Sequence, residues 1–285
     1  MQSFDLSWSA TTIEDLMKMR NPKYVAPHFE PALRKLSDGG YWISAPDFSP
    51  TGESEKIVKK SINDLKNSRS TVINAKYLVI DVRGNNGGSS MYGERIANTL
   101  WGSDLVESYR PQSTGVDWRI SKKNIEHVDW IIPNLKQKGA TEENIHEFKS
   151  IVENMKISEK KGNPFYFQKG EVPNKVNTAI KNEVKTKIYF LTSAGCASAY
   201  LDFADIILSM PNVTHLGRET SADTNYLEVS FRTTPSGLFK AVYPRKVYRG
   251  RQRGDNKPYT PGIKWTGDIF DTIALEKWIK NLPNQ

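Results

Sequence analysis

Tyr77-Leu78-Val79-Ile80-Asp81-Val82-Arg83-Gly84-Asn85-Asn86-Gly87-Gly88 is the stretch on which the fold turns. Its first six residues form an almost continuous apolar, β-branched-rich run, the pattern of a central strand covered on both faces. The run stops at a Gly/Asn turn. Behind that turn Ser89 or Ser90 can cap a helix in which Tyr92, Ile96 and Leu100 share one face.

The same strand, turn and helix order recurs downstream. Lys187-Ile188-Tyr189-Phe190-Leu191-Thr192 reads as a second buried strand, Ser193-Ala194-Gly195-Cys196 as its turn, and Ala197, Leu201, Ala204 and Leu208 as one face of the helix that follows. His215-Leu216-Gly217 opens a third unit. Residues 226–250 alternate as antiparallel strands do, and residues 272–279 form a closing amphipathic helix. Upstream, Tyr41-Trp42-Ile43-Ser44 is a strand and residues 54–66 have helical spacing. Residues 116–168 break the rhythm: polar, Lys- and Glu-rich, with Ile145, Phe148, Val152 and Met155 at helical spacing and a stop at Gly162-Asn163-Pro164. They read as a helical insertion, a lid in one reading. The whole predicts an α/β domain.

Composition bounds the function. The chain has 285 residues, 38% of them hydrophobic, enough for a substantial core. The net charge of +8 is spread, Lys and Arg being interspersed with Asp and Glu, so no nucleic-acid partner is expected. The densest basic stretch runs from Lys240 through Arg245, Lys246, Arg249, Arg251 and Arg253 to Lys257, with Asp255 the only acid inside it. It reads either as a solvated hairpin face or as a cationic rim for an acidic peptide or a C-terminal carboxylate. A single cysteine, Cys196, excludes an intrachain disulfide and reads as a small buried core residue. The four histidines, His28, His127, His146 and His215, lack the spacing of a metal pair, so neither metal nor cofactor is expected. No segment approaches the roughly 20 apolar residues of a membrane span, and the opening residues do not follow the order of a signal peptide.

Ligands of open α/β sheets gather at strand-to-helix turns. The first turn matches neither a dinucleotide nor a phosphate-loop pattern. Its adjacent glycines Gly87 and Gly88 suit a different task, presenting backbone N–H groups to a ligand without a side chain in the way. An oxyanion hole requires that. The second turn leads to Ser198 near a helix N-terminus, where unpaired N–H groups favour negative charge. Ser198 is a candidate nucleophile there, with a simple capping serine as the alternative. Its surroundings are not the G-x-S-x-G elbow.

Together these segments resemble the tail-specific, or C-terminal-processing, serine peptidase family. Leu78 to Gly88 looks like the family's D-x-R-x-N-x-G-G strand and turn, and Gly195-Cys196-Ala197-Ser198-Ala199 like its nucleophile segment. Leu216-Gly217-Arg218-Glu219-Thr220, Tyr259-Thr260-Pro261 and Asp271-Thr272-Ile273-Ala274-Leu275 resemble later segments in the family order. Gly40-Tyr41-Trp42-Ile43 resembles the strand that begins the core. The resemblance covers residues 39–285. It implies a Clp protease/crotonase-like spiral of β-β-α units with the insertion at about 116–168. Residues 1–38 are then a lead-in, read as the end of a truncated PDZ-like domain.

The resemblance also implies hydrolysis of peptides or protein C-termini through an acyl-enzyme on Ser198, the oxyanion held by backbone N–H groups of Gly88 or Gly87 and Ala199. If the chain is truncated, the family implies an extracytoplasmic setting. The departures are specific. Where one branch carries a lysine base this chain has Ser221-Ala222-Asp223-Thr224-Asn225, and the only histidine before the core is His28. His215 is the in-chain candidate base, with a structural histidine as the alternative. Arg83 is expected to pair with a carboxylate at the sheet end, and Glu219 to be a surface acid. The rival readings are a silent family relative that binds a hydrophobic or peptide ligand and, further off, a crotonase-like acyl-CoA enzyme.

Overall fold

The computed structural model describes residues 31–111, 113–137, 139–170, 179–196 and 198–282. Residues 1–30 of the lead-in, with His28, and Ala197 lie outside the described residues. Six strands form the main sheet, in the order β1 (Ala32–Lys35), β2 (Tyr41–Ser44), β3 (Tyr77–Asp81), β6 (Lys187–Thr192), β7 (Val213–Gly217), β10 (Ile263–Lys264). β1 pairs antiparallel with β2, inside the stretch read as lead-in, and all other pairs are parallel.

Alternation along β3 explains why every one of its residues is buried. Leu78 and Ile80 enter the large cluster beneath α1 (Glu53–Asn67), α3 (Ser90–Trp101), α4 (Ser103–Tyr109) and α7 (Ala199–Ser209), the short α2 (Arg69–Val72) lying beside α1. Tyr77 and Val79 point to the opposite face, against Leu275 and Ile279 of α8 (Thr272–Lys280). Each such aliphatic side chain contributes about 1.5–3 kcal/mol on full burial. The strand is thereby pinned from both sides. Asp271 caps α8 through its carboxylate, which accepts from Ala274 N at 2.9 Å.

The insertion differs from its reading. It is a helical hairpin, α5 (Lys122–Gln137) and α6 (Glu142–Lys160), framed by two strands, β4 (Gly115–Arg119) and β5 (Phe165–Lys169). These strands join β8 (Tyr226–Thr233) and β9 (Lys240–Arg249) in a second, wholly antiparallel sheet ordered β5-β4-β9-β8. Val116 and Trp118 on one face of β4 meet Ile125, Val128, Ile151, Val152 and Met155 of the hairpin, which makes a third core. The end strands of the insertion are only five residues long and the helices between them dominate the composition, which hid them in the sequence. The cap of α3 also differs: Ser89 stands at the N-cap without a side-chain bond, and its N–H donates instead to Phe48 O at 2.7 Å.

Candidate active site

The two turns identified from sequence lie against each other, because β3 and β6 are adjacent and in register from Tyr77/Lys187 to Asp81/Leu191. Gly84 N–H donates to Ser193 Oγ at 3.2 Å, and Cys196 Sγ donates to Val82 O at 3.2 Å. A Cβ on Gly195 would stand 3.8 Å from Asn86 Oδ1. Cys196 is fully buried, and burial pushes its thiol upward, as befits a core residue rather than a thiolate.

The base of the first turn is locked by an ion pair. Arg83 and Asp81 are both buried, with Arg83 Nε 2.8 Å from Asp81 Oδ1 and NH2 2.6 Å from Oδ2. Arg83 NH1 also donates to Ile269 O at 2.6 Å, and Trp42 Nε1 donates to Asp81 Oδ2 at 3.1 Å. Arg83 thus ties the strand end to the chain that enters α8, and its donors are spent on structure. Asn85, also buried, donates to Ala45 O at 2.7 Å and accepts from Gly87 N–H at 2.8 Å.

That last bond distinguishes the two glycines. Gly87 N–H is used inside the turn, whereas Gly88 N–H meets no acceptor among the described residues. Gly88 has φ +135°, and a Cβ there would fall 2.2 Å from Phe48 O, so no side chain fits. On the other turn, Ala199 opens α7, where the first N–H groups have no partner within the helix.

Ser198 itself is exposed and adopts φ 61° and ψ −133°, a left-handed conformation that L side chains rarely occupy. Such strain at a strand-to-helix turn is the backbone hallmark of an elbow that lifts a nucleophile out of the sheet. The sequence carries no elbow motif, so only the folded backbone reveals it. No group among the described residues hydrogen-bonds the Ser198 hydroxyl.

His215 lies on β7 opposite Phe190 and packs between the rings of Phe190 and Tyr259, at 5.9 and 6.5 Å between centroids. Its Nε2 is 2.9 Å from Thr192 Oγ1, and that hydroxyl also donates to Arg218 O at 2.6 Å. Burial pushes His215 down to about 4, against a weaker upward pull from the Thr260 backbone. No hydrogen bond links it to Ser198. Glu219 is exposed and accepts from Thr260 Oγ1 at 2.9 Å.

Two features escaped the sequence. The loop in the place of the branch lysine is anchored by Ser221 N–H on Cys196 O at 3.1 Å, and it carries the buried, unpartnered Asp223 Oδ2. The second is a charged clamp on α7. Asp205 Oδ2 accepts from Arg251 NH2 at 2.8 Å and Oδ1 from Arg253 Nε at 3.0 Å, while Tyr259 OH donates to Asp205 and Arg251 also pairs with Asp202. Burial pushes the Asp202 carboxyl above its ordinary range despite Arg251. Two cations of the basic stretch thus belong neither to a solvated face nor to an open rim: Arg251 and Arg253 fasten the helix behind Ser198 to the exit of β9. Among the described residues no cluster of His, Cys, Asp or Glu could hold a metal ion, and no helix is long and apolar enough to cross a membrane.

A strand ending in a glycine turn with an open N–H, packed against the turn that leads to a strained serine at a helix start, agrees with the family model of peptidase family S41, which matches residues 40–263. The chain belongs to peptidase family S41. Among solved structures, mature CPAF is similar at a TM-score of 0.51 and 14% identity, over 81% of this chain and 48% of that one. Mature CPAF complexed with lactacystin is similar at 0.50 and 16% identity, over 79% of this chain and 47% of that one. A chain from Parabacteroides merdae ATCC 43184, solved as a candidate peptidase, has a TM-score of 0.48 at 16% identity, over 95% of this chain and 69% of that one. The S41 chain described here spans about half the length of the CPAF chains. No curated protein matches it in sequence.

Proposed function

We propose that this S41 chain is the core of a serine peptidase that cleaves peptides or protein C-termini through an acyl-enzyme on Ser198. The observation that carries the reading is the strained backbone of Ser198 beside a turn whose Gly88 N–H is open. In the proposed reaction Ser198 Oγ attacks the scissile carbonyl carbon. The developing oxyanion is held by Gly88 N–H and Ala199 N–H, with the N-terminal end of α7 adding favourable potential. Gly87 then serves by shaping the turn, since its N–H is engaged with Asn85. The amine leaves with a proton, and water releases the acyl group by the reverse route.

A serine needs a proton acceptor to attack at neutral pH. His215 is occupied by Thr192, so the base is proposed to come from outside the described residues or to be brought up with substrate. The finer fold is proposed as the Clp protease/crotonase-like spiral, with residues 39–285 as the core and β1, from the stretch before it, adding an edge strand; an extracytoplasmic setting is proposed for a longer natural form. Membership of S41 and the parallel arrangement of β2, β3, β6 and β7 support the fold.

Labelling with a fluorophosphonate tests the function. Stoichiometric labelling of the wild type that disappears in Ser198→Ala is expected. A folded wild type that stays unlabelled, in this chain and in any longer natural form, would sink the peptidase reading and leave a ligand-binding relative. Lactacystin, the compound in the CPAF complex, is a second probe, and its binding is expected to depend on Ser198.

A further inference from the structure

The β8–β9 hairpin has two unequal halves. β4 pairs with β9 only between Lys246 and Trp118 at one end and Arg249 and Gly115 at the other. Residues 229–244 therefore form a two-stranded ribbon with no third strand beside it among the described residues. A lone ribbon builds almost no core of its own. Yet its side chains include large apolar groups in solvent: Phe231 is 68% exposed, Leu238 79% and Val242 57%. Phe231 and Val242 are register partners on one face, Val229 continues that face towards the sheet, and Leu238 sits in the turn. Contiguous exposed apolar surface of this kind marks an interaction site.

Charge selects the partner. From Val229 to Gly254 there is no Asp or Glu, while Arg232, Lys240, Arg245, Lys246, Arg249, Arg251 and Arg253 fall in the same stretch. The inner cations are committed: Lys246 to Glu228, Arg249 to Asp117, and Arg251 and Arg253 to Asp205. Arg232 and Lys240 differ. They occupy neighbouring register positions directly behind the turn, one on each face of the ribbon, both exposed and with no ion pair among the described residues. An anionic bilayer offers apolar depth and negative headgroups together, and long basic side chains can bury their stems while reaching the headgroups. A second copy of the chain would instead bring the same two cations into the contact, a like-charge juxtaposition.

We infer that the outer half of the β8–β9 hairpin is a docking arm for an anionic lipid surface, with Leu238, Phe231 and Val242 entering the interfacial layer and Arg232 and Lys240 at the headgroups. Co-sedimentation of the full chain with phosphatidylcholine vesicles, with and without phosphatidylglycerol, tests it. Binding about tenfold stronger to the anionic vesicles is expected, lost at high salt. Leu238→Asp and the pair Arg232→Glu/Lys240→Glu should each abolish the preference while leaving the unfolding midpoint unchanged. Leu238→Trp gives an independent readout as the difference from the wild type: a blue shift on anionic vesicles and quenching by brominated lipid. Equal binding to both vesicle types, a folded Leu238→Trp chain whose added indole stays in water, or a concentration-dependent dimer that Leu238→Asp dissolves would each overturn the inference, the last by assigning the arm to a second copy.

Discussion

The two sheets of this chain are held by different physics. The main sheet is parallel along β2, β3, β6, β7 and β10, covered on both faces, and locked at its functional end by the buried Asp81–Arg83 pair. The second sheet is antiparallel and covered by α5 and α6 on one face, and it communicates with the first through charges, Arg251 and Arg253 on Asp202 and Asp205 of α7. Burial on both faces makes the first sheet a rigid platform for two turns. The second sheet is attached to the helix that leaves one of those turns, so the first turn is held by contacts inside the main sheet and the helix behind Ser198 by a separate set of contacts to the second.

The contrast yields graded expectations. Arg83→Met should be the most damaging change, lowering stability by about 3–5 kcal/mol, because it leaves Asp81 charged and buried. Urea unfolding measures it, and Asp81→Asn/Arg83→Met should recover part of the loss. Acid should act next and on the same sheet. The folded His215 value, about 4, lies below its ordinary 6.5. Its neutral form therefore contributes stability that is complete above about pH 6.5 and is lost as pH falls towards 4, on the order of 3 kcal/mol. His215→Gln should flatten that limb of the urea midpoint plotted against pH.

Asp205→Ala attacks the clamp. Arg251 and Arg253 keep Asp202, so a smaller loss of about 2 kcal/mol is expected, accompanied by a fall in the labelling rate of Ser198 that Arg83→Met, assayed while still folded, does not share. Equal effects of the two variants on labelling would refute the separation of the two sets of contacts. Ser198→Gly should abolish labelling yet stabilise the fold by about 1 kcal/mol, since glycine occupies φ 61° without strain. The exposed Arg249–Asp117 pair should matter least, with Arg249→Ala costing under about 1 kcal/mol.

Much of the main sheet was readable because burial on both faces writes continuous apolar runs, as in Tyr77 to Val82 and Lys187 to Thr192. β4 and β5 were not, since each is five residues long and flanks helices that set the composition. β1 was hidden in what looked like a lead-in. The buried role of Arg251 and Arg253 was unreadable for a different reason: their partners Asp202 and Asp205 lie some fifty positions earlier, on another element.

For the site the division is similar. Local residue types alone singled out Ser198 and the pair Gly87 and Gly88, because a turn that exposes N–H groups needs glycine and a helix start favours serine. The tertiary structure decided which glycine N–H remains open, through Asn85, and gave Ser198 its strained backbone. It also turned His215 towards Thr192 and not towards the serine. Those outcomes depend on hydrogen bonds and backbone angles set by the pairing of distant strands, and no local pattern of residues encodes them.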